Sequence, residues 1–231
     1  MATGRSRAEN RAMMTDEIRR LARKHLATHG AAGLSLRAIA REMGVVSSAV
    51  YRYVPSRDDL LTMLLVEAYN DVGDAIDAAV AAVEAGHRRE RLLAAAEAAR
   101  NWALADPARW ALLYGSPVPG YAAPGEETMV PGTRIPALLL RECAAAWSEE
   151  LLRDDLPTPT TGVAGDMAAI RDEFGIDAPD DVMAVSTTLW AVLVGAISLE
   201  TFGQYGKDTF THSADLFRSQ IELTLSGLFR S

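Results

Sequence analysis

Apolar residues recur at helical rather than strand spacing along almost the whole chain. Met14, Ile18, Leu21, Ala22, His25 and Leu26 fall on one face of a first helix. Thr15-Asp16-Glu17 supplies a cap and an acidic first turn, Arg23-Lys24-His25 a basic last turn, and Gly30 a stop, so this helix is expected to open at Thr15. Ser35 caps a second, short helix from Leu36 to Met43, with Leu36, Ile39, Ala40 and Met43 inward and Gly44 ending it. Ser47 caps a third, which Pro55 ends by disfavouring helix at the residue before it. Ser56-Arg57-Asp58-Asp59 resembles a capping box and opens a long fourth helix that runs toward Gly86.

The remainder is Ala-rich and again helical. Arg88 to Ala105 forms one segment, Asp106-Pro107 breaks it, and Ala108 to Tyr114 continues it. The stretch GSPVPGYAAPGEETMVPGT, Gly115 to Thr133, is dense in Pro and Gly and reads as a loop, of a length that is usually functional or disordered. Helices are expected from Ile135 to Leu152, Asp180 to Tyr205 and Asp208 to Phe229, with a loose stretch around LPTPTTG between the first two. No strand-period segment and no internal repeat occurs, so the fold class is all-α. The longest apolar run, LWAVLVGAISL, is too short to span a bilayer and reads as a buried helix.

The second and third helices have the spacing Ala40-x3-Gly44-x5-Val50. A small residue at Ala40 lets two helices cross closely, Gly44 permits the tight turn between them, and Val50 fills the core beneath. That is a helix-turn-helix, whose second helix enters the DNA major groove. On the third helix Val50 and Val54 turn inward, while Ser47, Ser48, Ala49 and Arg52 turn out. Serines can bond base edges or phosphates, and Ala49 can pack on a thymine methyl. Tyr51 and Tyr53 carry phenolic groups suited to phosphate oxygens, with a core aromatic as the other reading of Tyr53. Arg57, at the start of the fourth helix, can hold a further phosphate.

Charge changes the picture. Residues 1–57 hold eleven Lys/Arg against four Asp/Glu, and the rest of the chain twelve against twenty-seven. A basic head on an acidic body points to a polyanion at one end only, or else to a solvated basic helix face. Arg5, Arg7 and Arg11 form a basic N-terminal arm that could enter the minor groove or stay a free tail.

The stretch SLRAIAREMGVVSSAVYRYVPSRDDLL is similar to the DNA-binding domain of the tetracycline-repressor (TetR) family of transcriptional regulators. The matching elements are Leu36-Arg37-Ala38-Ile39-Ala40, Gly44-Val45-Val46-Ser47, Val50-Tyr51-Arg52-Tyr53-Val54 and Arg57-Asp58-Asp59-Leu60. Arg57 stands where the family usually has Lys, and Val54 where Phe is common. The resemblance covers residues 12–65 closely and the all-α remainder in outline. It implies that Arg37, Ser47, Ser48, Ala49 and Arg52 read bases while Tyr51, Tyr53 and Arg57 hold the backbone. It also implies two domains: a helix-turn-helix domain over 1–56, and a helical ligand-binding and dimerisation domain over 57–231. The segments RNWALADPARWALLYGSPVPGYAAP and LWAVLVGAISLETFG are similar to a C-terminal type common among actinobacterial members of the family.

A head of this size reads few base pairs, so a homodimer on paired half-sites of a double-stranded operator is expected. The last two helices are the candidates for its interface, with a monomeric core as the other reading of their apolar spacing. Leu189, Leu193 and Ile197 lie on the first, which is apolar nearly all round, and Phe217, Ile221 and Leu225 recur at helical spacing on the second. Trp102, Trp110, Tyr114, Trp147, Met167 and Trp190 could line a pocket for a small, largely apolar effector, or pack an ordinary core. Arg134, Glu97, Glu142 and Glu200 could anchor its polar groups or form ion pairs. The expected protein is thus a cytoplasmic, ligand-released repressor with neither cofactor nor membrane partner.

Two other classes of protein account for less of the sequence. A DNA-packaging protein would use the basic head but leave the acidic body and the aromatic residues without a role. An enzyme lacks a constellation: His25, His29, His87 and His212 have no zinc-protease spacing, and Ser116 is not in a GxSxG. The single Cys143 allows neither an internal disulfide nor a multi-cysteine metal site.

Overall fold

In the computed structural model, residues 7–206 and 208–230 are described. Among them eleven α-helices form: α1 (Arg7–His29), α2 (Leu36–Glu42), α3 (Ser47–Tyr51), α4 (Arg57–Ala81), α5 (Arg88–Ala105), α6 (Pro107–Tyr114), α7 (Gly125–Gly132), α8 (Arg134–Ser148), α9 (Ala164–Phe174), α10 (Asp180–Thr201) and α11 (Ser213–Ser226). No strand is present among these residues; one isolated antiparallel bridge joins Leu152 to Phe229. The protein is all-α.

The contacts divide into two compact units. One holds residues up to Tyr69 together with Asp106–Val130, the other Asn70–Ala105 and Pro131–Ser231. In the first unit, α1, α2, α3 and the start of α4 bury Ile18, Leu21, Leu26, Leu36, Ile39, Val50, Val54, Leu60 and Leu61 in one core. Helix α6 packs against α1, and the segment after it adds Val118 and Tyr121. In the second unit α10 lies against α8, α11 and α5.

Several helix ends differ from the sequence expectation. Helix α1 opens at Arg7, not Thr15, since Arg7 to Met14 is mostly Arg, Ala, Glu and Met with no Gly or Pro to break it. Arg7 and Arg11 therefore lie in a helix rather than a free arm, and Arg5 lies outside the described residues. The long loop ends early: Pro124 accepts from the Thr128 amide at 3.0 Å and its hydroxyl at 2.7 Å, starting α7. Helix α8 stops at Ser148 because the chain turns at Glu150 (φ 57) to reach the bridge at Leu152. Helix α9 was not anticipated. Gly203 (φ 68) helps end α10 near Thr201, and α11 begins only at Ser213, after Asp208 (φ 61).

Helix α10 is long and apolar enough to cross a membrane by length and composition, and 44% of its apolar window is buried in the fold.

Candidate nucleic-acid interface

The helix-turn-helix of the first unit is built from three turns. Ser35 accepts from the Ala38 amide at 3.3 Å and opens α2. Gly44, at φ 69, reverses the chain after α2, and the Val45 amide returns to the Ala40 carbonyl at 3.0 Å. Helix α3 then starts one residue earlier than a Ser47 cap would place it: Val46 is the N-cap and makes no side-chain cap bond. Ser56 closes the site, accepting from the Asp59 amide at 3.0 Å and donating to the Asp59 carboxylate at 2.7 Å.

This arrangement fixes which side chains α3 shows. Val50 and Val54 are buried, Ser47 and Ala49 half-buried, and Ser48 and Arg52 exposed. Tyr51 is exposed, as is Arg37 on α2. Tyr53 is half-buried against the core, with the Arg11 guanidinium 5.5 Å from its ring centre. Arg57 has a role that no local pattern announced. Its Nε donates to the Leu34 carbonyl at 3.2 Å, and its Nη2 to those of Ala31 and Ala32 at 3.0 and 3.1 Å. It thereby pins the connection between α1 and α2 to the start of α4.

Glu42 of α2 braces α1. Lys24 Nζ donates to it at 2.6 Å and His25 Nε2 lies 2.9 Å away. The Lys24 hydrogen bond first, then that of His25, hold the Glu42 carboxyl down to about 2. His25 and Glu42 border a cleft of about 320 Å3 shared with His29, Gly33, Ala38 and Arg41. Among the described residues no group of three or more His, Cys, Asp or Glu could hold a metal ion.

The six candidate ligand residues are divided between the two units, two in the first and four in the second. In the first unit Trp110 is buried with its ring 4.5 Å from that of Tyr114, and Tyr69 meets Tyr114 edge-on at 6.4 Å. The Tyr114 hydroxyl is buried without a hydrogen-bond partner, and burial raises its pKa far above the usual phenol range. The other four lie in the second unit. Trp102 and Met167 are half-buried; Trp190 is exposed, and so is Trp147, beside a largely charged cleft of about 390 Å3. The candidate anchors are ion-paired: Glu142 with Arg88 and Arg91, Glu200 with Arg100, Glu97 with Arg218, and Arg134 with Asp74 and Asp77.

The six residues expected to touch a partner are buried within their own chain. Leu189, Leu193, Ile197, Phe217, Ile221 and Leu225 are each at most 3% exposed. Their periodicity marks the core of the second unit. What stays exposed along α10 and at its C-cap is a different set, Trp190, Ala191, Leu199 and Phe202, and α11 leaves Leu223 77% exposed.

Three helices whose last two cross at a glycine turn, with serine, tyrosine and arginine outward, define a helix-turn-helix DNA-binding protein joined to a helical second unit. Comparison with known proteins makes this specific. Residues 18–64 match the family described as bacterial regulatory proteins, tetR family, and residues 92–224 the tetracyclin repressor-like C-terminal domain. The chain is 48% identical over 225 residues to the HTH-type transcriptional regulator Rv1816 of Mycobacterium tuberculosis, covering 96% of this chain and 95% of that one. A regulator of Mycobacterium bovis, Mb1846, matches equally. The crystal structure of the regulatory protein SCO4313 superposes with a TM-score of 0.77 at 32% identity, covering 96% of this chain and 100% of that one. The chain belongs to the TetR family of transcriptional regulators. It is a regulator with a DNA-binding domain, not an enzyme.

Proposed function

We propose that the protein is a ligand-responsive repressor that binds a two-fold symmetric operator as a homodimer in the cytoplasm and leaves it when a small, largely apolar effector binds. The observation that carries the DNA part is the outward face of α3: Ser48, Tyr51 and Arg52 exposed, Ser47 and Ala49 half-exposed, over a sealed Val50–Val54 floor. In this reading Arg37, Ser47, Ser48, Ala49 and Arg52 face bases, and Tyr51 and Tyr53 face phosphates. Arg57 adds its charge at the start of α4 while its hydrogen bonds hold α4 to the reading head.

The dimer reading is supported by the exposed apolar residues of α10 and its C-cap (Trp190, Ala191, Leu199, Phe202) together with Leu223, which a second copy would cover. The effector reading is supported by the Trp110–Tyr114–Tyr69 aromatic group and the unpartnered Tyr114 hydroxyl. With Trp102, Trp147, Met167 and Trp190 it makes the set of residues to vary in a ligand screen. Release would follow from the effector's higher affinity for the state that does not bind DNA.

The test is selection of bound duplexes from a random pool at physiological salt. A two-fold symmetric motif is expected. Arg37→Ala should then relax preference at one position per half-site, by about 1–3 kcal/mol of discrimination, and Tyr51→Phe should weaken all sequences alike. Retained binding with no recovered motif would instead favour sequence-tolerant packaging.

A further inference from the structure

We infer that Val46 reads a thymine methyl group and so fixes one base of each half-site. The inference rests on the sequence-specific DNA reading above. Val46 is the N-cap of α3, in extended backbone at φ −70 and ψ 142. Its side chain is 71% exposed, whereas Val45 beside it packs on the core and Val50 is fully buried.

Two features make valine a poor choice here for the folded protein alone. A branched hydrocarbon is left in water, with nothing of its own chain covering most of it. The cap is also unfilled: a serine, threonine, asparagine or aspartate would accept a hydrogen bond from the first turn, and valine cannot. The neighbouring helices do use such caps, Ser35 on α2 and Ser56 on α4. The five-residue α3 is the one least able to nucleate by itself, yet it goes without.

Helix-turn-helix proteins touch base edges with the N-terminal residues of the second helix. The major groove presents nitrogen and oxygen groups almost everywhere; its apolar feature is the C5 methyl of thymine. A valine side chain gains contact there, and against any other edge it strips water from a polar group without replacing the hydrogen bond. The recognised chemistry is therefore a 5-methylpyrimidine.

The experiment starts from the operator selected with the unmodified protein. Each thymine of the half-site is replaced in turn by deoxyuridine, which removes only the methyl. One position per half-site should weaken binding, about three- to five-fold for one methyl-sized contact. Val46→Ala should lose the sensitivity at that position and keep it elsewhere. Val46→Ser separates base reading from folding: it fills the cap, so the melting temperature should rise while the thymine preference disappears. If no deoxyuridine-sensitive position depends on residue 46, the inference falls and the DNA reading stands. If the unmodified protein selects no motif, the DNA reading itself falls, and the inference with it.

Discussion

Two glycines show how a single Cβ can have opposite consequences. Gly44 sits at φ +69, and a Cβ there would meet nothing within 4 Å. The only penalty of Gly44→Ala is the left-handed backbone, about 1–2 kcal/mol. For a chain of this length the melting temperature should fall by about 2–4 °C per kcal/mol. At Gly73, inside α4, a Cβ would lie 2.6 Å from Arg134 Cζ. That guanidinium ends a flexible side chain and can swing aside. It would give up the Asn70 carbonyl at 3.1 Å and the carboxylates of Asp74 and Asp77, which are 72% and 55% exposed. Exposed ion pairs contribute about 0–1 kcal/mol each, and replacing a mid-helix glycine by alanine returns about 1 kcal/mol. Gly73→Ala should therefore leave the melting temperature close to unchanged. Parallel thermal scans decide the matter: equal losses in both variants would contradict the assignment of the Gly44 effect to backbone conformation.

At the scale of elements, what was legible in the sequence was what local chemistry decides. Ser35, Ser56 and the Asp106-Pro107 break were read correctly because a cap bonds within its own first turn, as at Ala38, Asp59 and Arg109. The burial of Val50 and Val54 followed from spacing alone. Helix α7 was hidden because Pro and Gly dominate its surroundings, although Glu126 and Glu127 sit where a first turn favours acid. The engagement of Arg57 was illegible for a different reason: its carbonyl partners lie 23–26 residues earlier in the chain. The Glu42 brace is likewise non-local, and it carries a pH prediction. A carboxyl held at about 2 in the fold, below its ordinary value of 4.5, favours the folded state most above that ordinary value. The contribution is lost as pH falls through the window from about 4.5 to about 2. Protection of the α1–α2 amides against hydrogen exchange, taken relative to the intrinsic rate at each pH, should fall across that window in the unmodified protein. Glu42→Gln should exchange faster at neutral pH and show a smaller change on acidification; an unaltered acid response would mean that the brace does not contribute.

Periodicity reports that a residue is buried but not by whom, and this matters most for the whole molecule. Leu193 was the leucine expected at an interface and Leu223 was not, and the fold reverses their standing: Leu193 is 2% exposed and Leu223 77%. A carboxylate at Leu193 would be placed in the core of the second unit, where an unpaired charge is strongly disfavoured. Leu193→Glu should unfold the second unit, seen as lost helical circular dichroism. A carboxylate at Leu223 meets only water in the single chain, so Leu223→Glu should keep the helical signal. If the exposed apolar residues of α10 and Leu223 form the contact between copies, the same change places two like charges across an apolar interface. Light scattering after size exclusion should then report a folded monomer, and operator affinity should fall because two half-sites are no longer held by one particle. A Leu223→Glu protein that stays dimeric and binds its operator normally would place the contact between copies away from Leu223. The exposed Trp190, Leu199 and Phe202 would then be the next residues to charge.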